Sequence, residues 1–144
     1  MTCRAELTMQ AILAAYAAQM VTTFGAGTSV VRELPPENTA NITAAVTGFM
    51  CELDGTTPNL ADNSGKVISK RAPILMICLL KCGQGEESTL YTKAREFEAA
   101  METLAITPIT ADGAAVKLRI SGSYGRAVGK NQLWVDIPFD VLTR

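Results

Sequence analysis

The sequence contains no histidine and is low in charge. None of its 144 residues is histidine, so Ser-His-Asp and Cys-His catalytic arrangements and imidazole metal ligands are excluded. Charged residues make up 19% of the chain, and thirteen basic residues nearly cancel fourteen acidic ones. A formal charge of −1 argues against a nucleic-acid binder that relies on phosphate neutralisation. We therefore expect neither an enzyme nor a specific nucleic-acid binder.

Motifs for cofactors and metals are also missing. The sequence has no Walker-type G-K-[ST], and the G-x-G in F-G-A-G-T-S follows a predicted helix, whereas a dinucleotide fingerprint follows a strand and opens a helix. The four cysteines form no C-x-x-C pair, which argues against a structural zinc site. We predict no catalytic, cofactor-binding or metal-binding residue. The thiols are interpreted as buried or free, and an intersubunit crosslink through Cys3 is the alternative.

Long hydrophobic runs are absent as well, although 48% of the residues are hydrophobic. The apolar N-terminal run A-I-L-A-A-Y-A-A is too short to span a bilayer, so no membrane association is expected. The high apolar content fits either large partner interfaces or an unusually apolar core. The length predicts one domain over residues 1–144.

Two helices are predicted from the spacing of apolar residues. The first spans roughly residues 5–24, with a stripe at Met9, Leu13, Tyr16, Ala17, Met20 and Phe24, and ends at Gly25 and Gly27. The second spans 88–105, with Ser88 as the expected N-cap and Pro108 beyond its end. Its apolar residues keep a strict 4-3-4-3 spacing: Leu90, Ala94, Phe97, Met101 and Leu104.

The remaining segments read as strands. Candidates are 28–34, Ile42 to Leu53, the apolar run that Pro73 opens, and two strands near the end of the chain that contain Val116 to Ile120 and Leu133 to Val141. The segment between the last two is expected to be a hairpin connection. The polar segment 54–71 is either a long loop or an extended hairpin that turns at 63–65.

These elements predict an α+β fold. Two helices would pack on one face of a largely antiparallel sheet of four to five strands, in the order α-β-β-β-α-β-β. Pro138 interrupts the last strand and cannot donate to a ladder, so it predicts an edge strand, a bulge, or a strand side without a neighbour.

Four residues are candidates for contacts with other proteins. Lys66, Lys70 and Arg71 form a modest basic cluster, which is either a solvated loop or a docking contact for an acidic surface. Trp134, the single tryptophan, alternates with the apolar residues of the last strand. It either packs under a helix of the same chain or anchors an interface, because tryptophan is enriched in interface hot spots.

The order of elements resembles that of bacteriophage tail terminator proteins. The resemblance lies in an N-terminal amphipathic helix followed by V-V-R-E-L-P-P, and in the proline-led strand R-A-P-I-L-M-I-C-L-L-K before the helix E-E-S-T-L-Y-T-K-A-R-E-F-E-A-A-M-E-T-L. It extends to the closing hairpin Y-G-R-A-V-G-K-N-Q-L-W-V-D-I-P-F-D-V, and so covers most of the chain. It is a likeness of layout, without a sharp motif.

The resemblance implies a structural virion protein. Such a subunit forms a homo-hexameric ring that caps the tail tube, stops its polymerisation and joins the tail to the neck or head-completion protein. A contractile tail would add the sheath protein as a partner, and the ring lumen would let DNA pass. The expected location is the head-proximal end of the tail, after assembly in the bacterial host cytoplasm. The alternatives are a head–tail joining or baseplate-proximal protein and, from a different class, a small-molecule-binding domain or enzyme.

Overall fold

The computed structural model describes residues 4–53, 56–61, 63–65 and 67–143. The described residues form two helices and eight strands. In chain order the elements are α1 (Arg4–Phe24), β1 (Ser29–Val31), β2 (Val46–Glu52), β3 (Thr57–Ala61), β4 (Val67–Lys81), α2 (Glu87–Ile106), β5 (Ile109–Ala111), β6 (Ala114–Ile120), β7 (Gly125–Gly129) and β8 (Gln132–Thr143). The predicted α+β class is confirmed. The sheet has more strands than the four to five expected, because short strands occupy both hairpins.

The sheet is built around two long antiparallel strands, β4 and β8, which pair from Lys70–Thr143 to Lys81–Gln132. The main path runs β1-β2-β4-β8-β6-β5, while β3 adds to β4 and β7 adds to β8. Among the described strands, only β1 and β2 pair in parallel, so the sheet is largely antiparallel as predicted.

Each long strand has two shorter neighbours on its outer side, with a proline at the junction. Along β4, the pairing with β3 stops at Arg71 and the pairing with β2 starts at Ile74, which leaves Pro73 between the two paired segments. Along β8, the pairing with β7 stops at Asp136 and the pairing with β6 starts at Phe139, which leaves Pro138 between the two paired segments. Pro138 therefore lies at a gap in the ladder, where a missing N–H removes no strand pairing. Pro73 does not open the strand as predicted, because β4 begins six residues earlier.

Both helices pack on one face of the sheet, as expected. On α2 the buried residues include all five of the predicted stripe. On α1 the fully buried positions are Ile12, Tyr16 and Met20, so Ile12 replaces Leu13 at the centre of the stripe. The main core lies between the helices and the side chains that β2, β4, β6 and β8 direct toward them. A helix long and apolar enough to cross a membrane is not found in the described part of the chain.

The end of α1 lies where the sequence predicts it, but the N-cap of α2 does not. The predicted stop of α1 is confirmed, since Gly25 follows it with a φ of 104°, a conformation that glycine adopts without strain. The prediction of Ser88 as the N-cap of α2 is wrong, because the cap is Glu86 and Ser88 lies inside the helix. Glu86 also accepts a hydrogen bond from the Gly83 N–H, which fixes the approach to the helix.

Candidate functional site

The titratable side chains show no catalytic or metal-binding arrangement. Among the described residues, no group of three or more histidine, cysteine, aspartate or glutamate side chains could hold a metal ion. Glu52, at the end of β2, is paired with Arg32.

The thiols of the described cysteines are free. Cys51 and Cys78 are buried, and burial raises the pKa of both thiols, which disfavours the reactive thiolate. Desolvation and the nearby Glu87 and Glu86 also raise the pKa of Cys82. These three cysteines match the interpretation of buried or free thiols. Cys3, for which an intersubunit crosslink was the alternative, lies outside the described residues.

The sheet face opposite the helices, here called the outer face, is the most distinctive surface. Its central positions are apolar on three neighbouring strands: Phe49 and Cys51 on β2, Leu75, Ile77 and Leu79 on β4, and Trp134 on β8. The register aligns them in rows across the sheet, because Ile77 lies opposite Phe49 and Leu79 lies opposite both Thr47 and Trp134. A second, smaller hydrophobic cluster therefore lies on the side away from the helices.

Residues 32–45, here called the strap, connect β1 to β2 and cross part of the outer face. At one end the Cys51 thiol donates to the Glu33 carbonyl, with 3.3 Å between Sγ and O. At the other end the Lys81 ammonium donates to the carbonyls of Thr39 and Ile42, with Nζ–O distances of 2.5 and 2.6 Å. The strap covers Phe49, Cys51 and Leu79 and leaves the centre of the face partly open.

A shallow groove of about 250 Å³ runs between the strap and β8. Its lining residues are Pro35, Leu75, Ile77, Trp134 and Asp136. With one carboxylate among apolar side chains, the groove offers shape and apolar surface for a protein contact and lacks the convergent polar groups of a small-molecule site. A second depression, of about 390 Å³, is polar and lies beside the start of α2, where Lys81 is already bonded to the strap.

Trp134 is half-buried on the outer face. Its ring lies 6.0 Å from the ring of Phe49, centroid to centroid, at an interplanar angle of 40°. Since the helices lie on the opposite face, Trp134 does not pack under a helix of its own chain. The first interpretation of this residue is therefore wrong, and the second, an interface anchor, stays a prediction.

The predicted basic cluster lies on a strand rather than on a long loop. β3 and the start of β4 pair as an antiparallel hairpin with a turn at 63–65, so the hairpin alternative is confirmed and the loop alternative is wrong. Lys70 and Arg71 belong to β4 and are both exposed, whereas Lys66 lies outside the described residues. Their docking role stays a prediction.

Sequence reasoning missed the charges that surround Arg71. Asp140 is buried on the outer face, and its Oδ2 lies 3.1 Å from an Arg119 nitrogen and 3.9 Å from Arg71 Nε. Lys117 follows on the same face of β6, opposite Leu142. Arg71, Lys117 and Arg119 thus form one patch, here called the basic end. The sequence shows that Lys117 and Arg119 share one face of a strand. That this face lies beside Arg71 depends on the pairing of β4, β8 and β6.

A second charge cluster ties α1 to the sheet. The Arg32 guanidinium donates to both oxygens of Glu6 and, at 2.6 and 2.9 Å, to both oxygens of Glu52. The hydrogen bond to Arg32 holds the pKa of Glu6 below its ordinary value. The bonds to Glu6 and Glu52 raise the pKa of Arg32. This network fixes the start of the strap.

Comparison with known proteins identifies the fold. No family model matches the chain, and no curated protein does. Thirty-two chains of solved structures match it. One, which carries only a sequence identifier as its name, is 18% identical with a TM-score of 0.60, over 97% of this chain and 96% of the other. Another, described as the virion of native gene transfer agent (GTA) particle, is 13% identical with a TM-score of 0.53, over 94% of this chain and 96% of the other. The chain therefore shares its fold, along nearly its whole length, with a component of a virion.

Proposed function

We propose that this chain is a structural protein of a phage-type virion and that it forms the ring that terminates the tail tube. The observation that carries the proposal is the fold shared with a chain of a gene transfer agent virion over 94% of the sequence. The finer role rests on the layout of elements, which resembles that of tail terminator proteins. On this proposal the chain acts by binding other proteins, at the head-proximal end of the tail.

The sheet edges support a ring. Within the described residues, β3 pairs only with β4 and β7 only with β8, and the two lie at diagonally opposite corners of the sheet. A strand paired on one side presents unused backbone donors and acceptors to another chain. Contacts between two different edges are heterologous, and heterologous contacts close into a ring when the rotation between subunits allows it.

The outer face and the basic end support contacts beyond the ring. An apolar patch with a half-buried tryptophan is typical of an interface core, and exposed charges near it steer association. We assign Lys66, Lys70, Arg71 and Trp134 to contacts with neighbouring subunits, the tail tube protein, or the neck or head-completion protein. In a contractile tail the sheath protein would be a further neighbour.

The test is tube capping. The purified chain is mixed with growing tubes of the tail tube protein from the same particle, and tube length and tube-end occupancy are measured by electron microscopy, with light scattering for the mass of the chain alone. We expect a ring at one end of each tube and an arrest of growth. A monomer in free solution would be compatible with the proposal, because the ring can form on the tube.

Two outcomes would redirect the proposal. A chain that stays monomeric and never occupies tube ends is not a tail terminator. If it instead binds the neck or head-completion proteins without the tube, a head–tail joining role would replace the terminator role, and the virion assignment would stand.

A further inference from the structure

Asp136 is a carboxylate in the middle of an apolar surface. It lies on the outer face of β8, opposite Ile77 of β4. The other residues that line the groove beside it are hydrophobic: Pro35, Leu75, Ile77 and Trp134. A charge loses part of its hydration when such a surface is covered, and an opposite charge that pairs with it offsets the loss. The position of Asp136 therefore favours a cationic partner.

The chain itself supplies no such partner within the residues that the structure describes. Lys81, on β4, donates its ammonium to the strap carbonyls. Arg126, on β7, pairs with a glutamate of α2 on the helix side of the sheet. Arg119, on β6, pairs with Asp140. The cations of these neighbouring strands are thus bound elsewhere, and the Asp136 carboxylate is left for a group from outside the chain.

Gly125 gives this carboxylate its place on the sheet. It lies directly opposite Asp136 on β7. A Cβ at Gly125 would lie 2.8 Å from Cγ and 2.9 Å from Oδ2 of Asp136, closer than a side chain can approach without displacing the carboxylate. The missing side chain therefore lets the carboxylate lie against β7, at the side of the groove.

Trp134 adds an aromatic ring on the same face of the same strand. Trp134 and Asp136 are two residues apart on β8, so their side chains leave the strand about 7 Å from each other. The indole ring packs against Phe49 and also lines the groove. An aromatic ring attracts a cation, and a carboxylate binds a guanidinium through two parallel hydrogen bonds. A planar guanidinium can make both contacts, whereas an ammonium is a compact and more strongly hydrated charge.

We infer that the groove binds an arginine side chain of a partner protein, with its guanidinium between Trp134 and Asp136. Apolar residues beside that arginine would cover Leu75 and Ile77. An entirely apolar segment would cover the Asp136 carboxylate without pairing it, and an acidic segment would be repelled by it. The inference goes beyond the proposed function, because it names the chemistry of one contact on the outer face and holds for any neighbouring protein that supplies the arginine.

The experiment titrates the full chain with two peptides that differ only in charge. An acetylated and amidated Leu-Arg-Leu peptide presents one arginine between apolar residues, and its citrulline analogue keeps the shape without the charge. The chain has one tryptophan, so its indole N–H gives a single NMR signal that reports on the groove. Asp136→Asn removes the charge of the carboxylate and keeps its size. Glu96→Gln, at an exposed position on α2, is the matched control with the same change of net charge.

The arginine peptide should shift the indole signal of the wild type and bind about five- to tenfold more tightly than the citrulline peptide, because only the arginine makes the charged pair and the cation–π contact. Asp136→Asn should remove most of this preference and leave the binding of the citrulline peptide unchanged. Gly125→Ala, which displaces the carboxylate and keeps its charge, should also reduce the preference. Glu96→Gln should bind both peptides as the wild type does, and the same spectra show whether each variant is folded.

The inference is overturned if the indole signal does not respond to the arginine peptide, if the wild type binds both peptides equally, or if Glu96→Gln loses as much preference as Asp136→Asn. Equal binding of the two peptides would make the groove a site for an uncharged apolar segment, with Asp136 as a charge that opposes aggregation of the exposed sheet. Tube capping is measured separately, so a failure of the proposed function and a failure of this inference are distinguishable.

Discussion

At the scale of single residues, Gly48 lets the helix layer bond directly to the sheet. The Tyr16 hydroxyl, on α1, donates to the Ile77 carbonyl at 2.8 Å, although Ile77 belongs to the middle of β4. It reaches that carbonyl past Gly48, where a Cβ would lie 2.9 Å from Tyr16 Oη and 3.0 Å from Val30 Cγ2. Burial raises the pKa of Tyr16 well above its ordinary value, so the hydroxyl keeps its proton and stays a donor.

Gly48→Ala is therefore expected to destabilise the fold. The added methyl group pushes Tyr16 or Val30 away, and such overpacking costs about 1–3 kcal/mol of unfolding free energy. Urea denaturation measures the loss. Gly27→Ala is the matched control, because a Cβ there meets nothing within 4 Å, and it should change stability by less than about 0.5 kcal/mol. Equal effects at both positions would show that the close approach of Tyr16 is unimportant.

The Glu6–Arg32–Glu52 network predicts a dependence of stability on pH. The pKa of Glu6 is lowered in the folded state, mainly by its hydrogen bond to Arg32, so the charged carboxylate favours folding. This contribution is fully present above the ordinary glutamate pKa of about 4.3 and is lost as the pH falls through the lowered value.

Glu6→Gln tests this dependence through the melting temperature. The wild type should be more stable than the variant at neutral pH. The difference should shrink as the pH falls below the ordinary glutamate pKa of about 4.3 and vanish once the pH is below the lowered pKa of Glu6 in the folded state. Glu96→Gln, on the exposed side of α2, serves as the control and should show no such pH-dependent difference. A difference between wild type and Glu6→Gln that persists unchanged in acid would contradict the assignment of the ion pair.

At the scale of secondary-structure elements, the prolines mark where a long strand changes its neighbour. The Ser121 N–H donates to the Pro138 carbonyl at 2.9 Å, so the backbone of Pro138 faces β6 and β7 rather than β4. The ring nitrogen of Pro138 lies at the gap between those two strands, and no ladder bond is lost there. Pro73 occupies the same kind of gap on β4, where its carbonyl accepts from the Leu53 N–H.

Pro138→Ala should accordingly cost little, about 0.4–1 kcal/mol, through the greater freedom of the unfolded chain. Asp136, two positions earlier, has its backbone on the same side as Pro138 but lies opposite Gly125 of β7. Asp136→Pro should therefore cost about 1–3 kcal/mol of unfolding free energy, because it removes the backbone donor toward β7. Asp136→Ala separates the loss of the carboxylate from the loss of the N–H. Equal stabilities of Asp136→Pro and Asp136→Ala in chemical denaturation would argue against the gap.

The helices and the long strands were predictable from sequence, and the short strands were not. The stripe of α2 needs only the spacing of five apolar residues, and its buried face follows directly. β7 has exposed residues at four of its five positions and glycine at both ends, so it carries no alternation that could identify it. β3 and the first part of β4 lie in the segment 54–71, for which the sequence left a loop and a hairpin open, and their pairing decides between the two. The first part of β4 also pairs with the end of β8, which is distant in the chain, and a local pattern does not contain that pairing.

The same limit applies to the candidate site. The alternation of β8 placed Trp134 on the face away from its apolar neighbours, and the structure agrees. That Phe49 lies beside it depends on the order β2-β4-β8, which sequence reasoning did not supply. Asp140 was missed as the partner of Arg71 and Arg119 for the same reason.

At the scale of the whole molecule, the β3–β4 hairpin is an addition to a sheet that is complete without it. Within the described residues β3 pairs with β4 alone, while β4 pairs with β8 from Lys70 onward. Folding and partner binding should therefore be separable at this hairpin.

Replacing residues 56–65 with a two-glycine turn should leave the domain folded and abolish its binding to tube ends. The core and the β4–β8 pairing remain, so the melting transition should stay cooperative, while β4 loses its partner strand β3 beside Lys70. Lys66→Glu combined with Lys70→Glu tests the charges alone, with the hairpin intact, and should weaken tube-end binding more at low salt than at high salt, because salt screens exposed charges. Arg95→Glu on α2 is the control for a basic residue reversed elsewhere. If both hairpin variants cap tubes as the wild type does, the hairpin is a structural extension of the sheet, and the docking surface must lie on the outer face or at the other sheet edges.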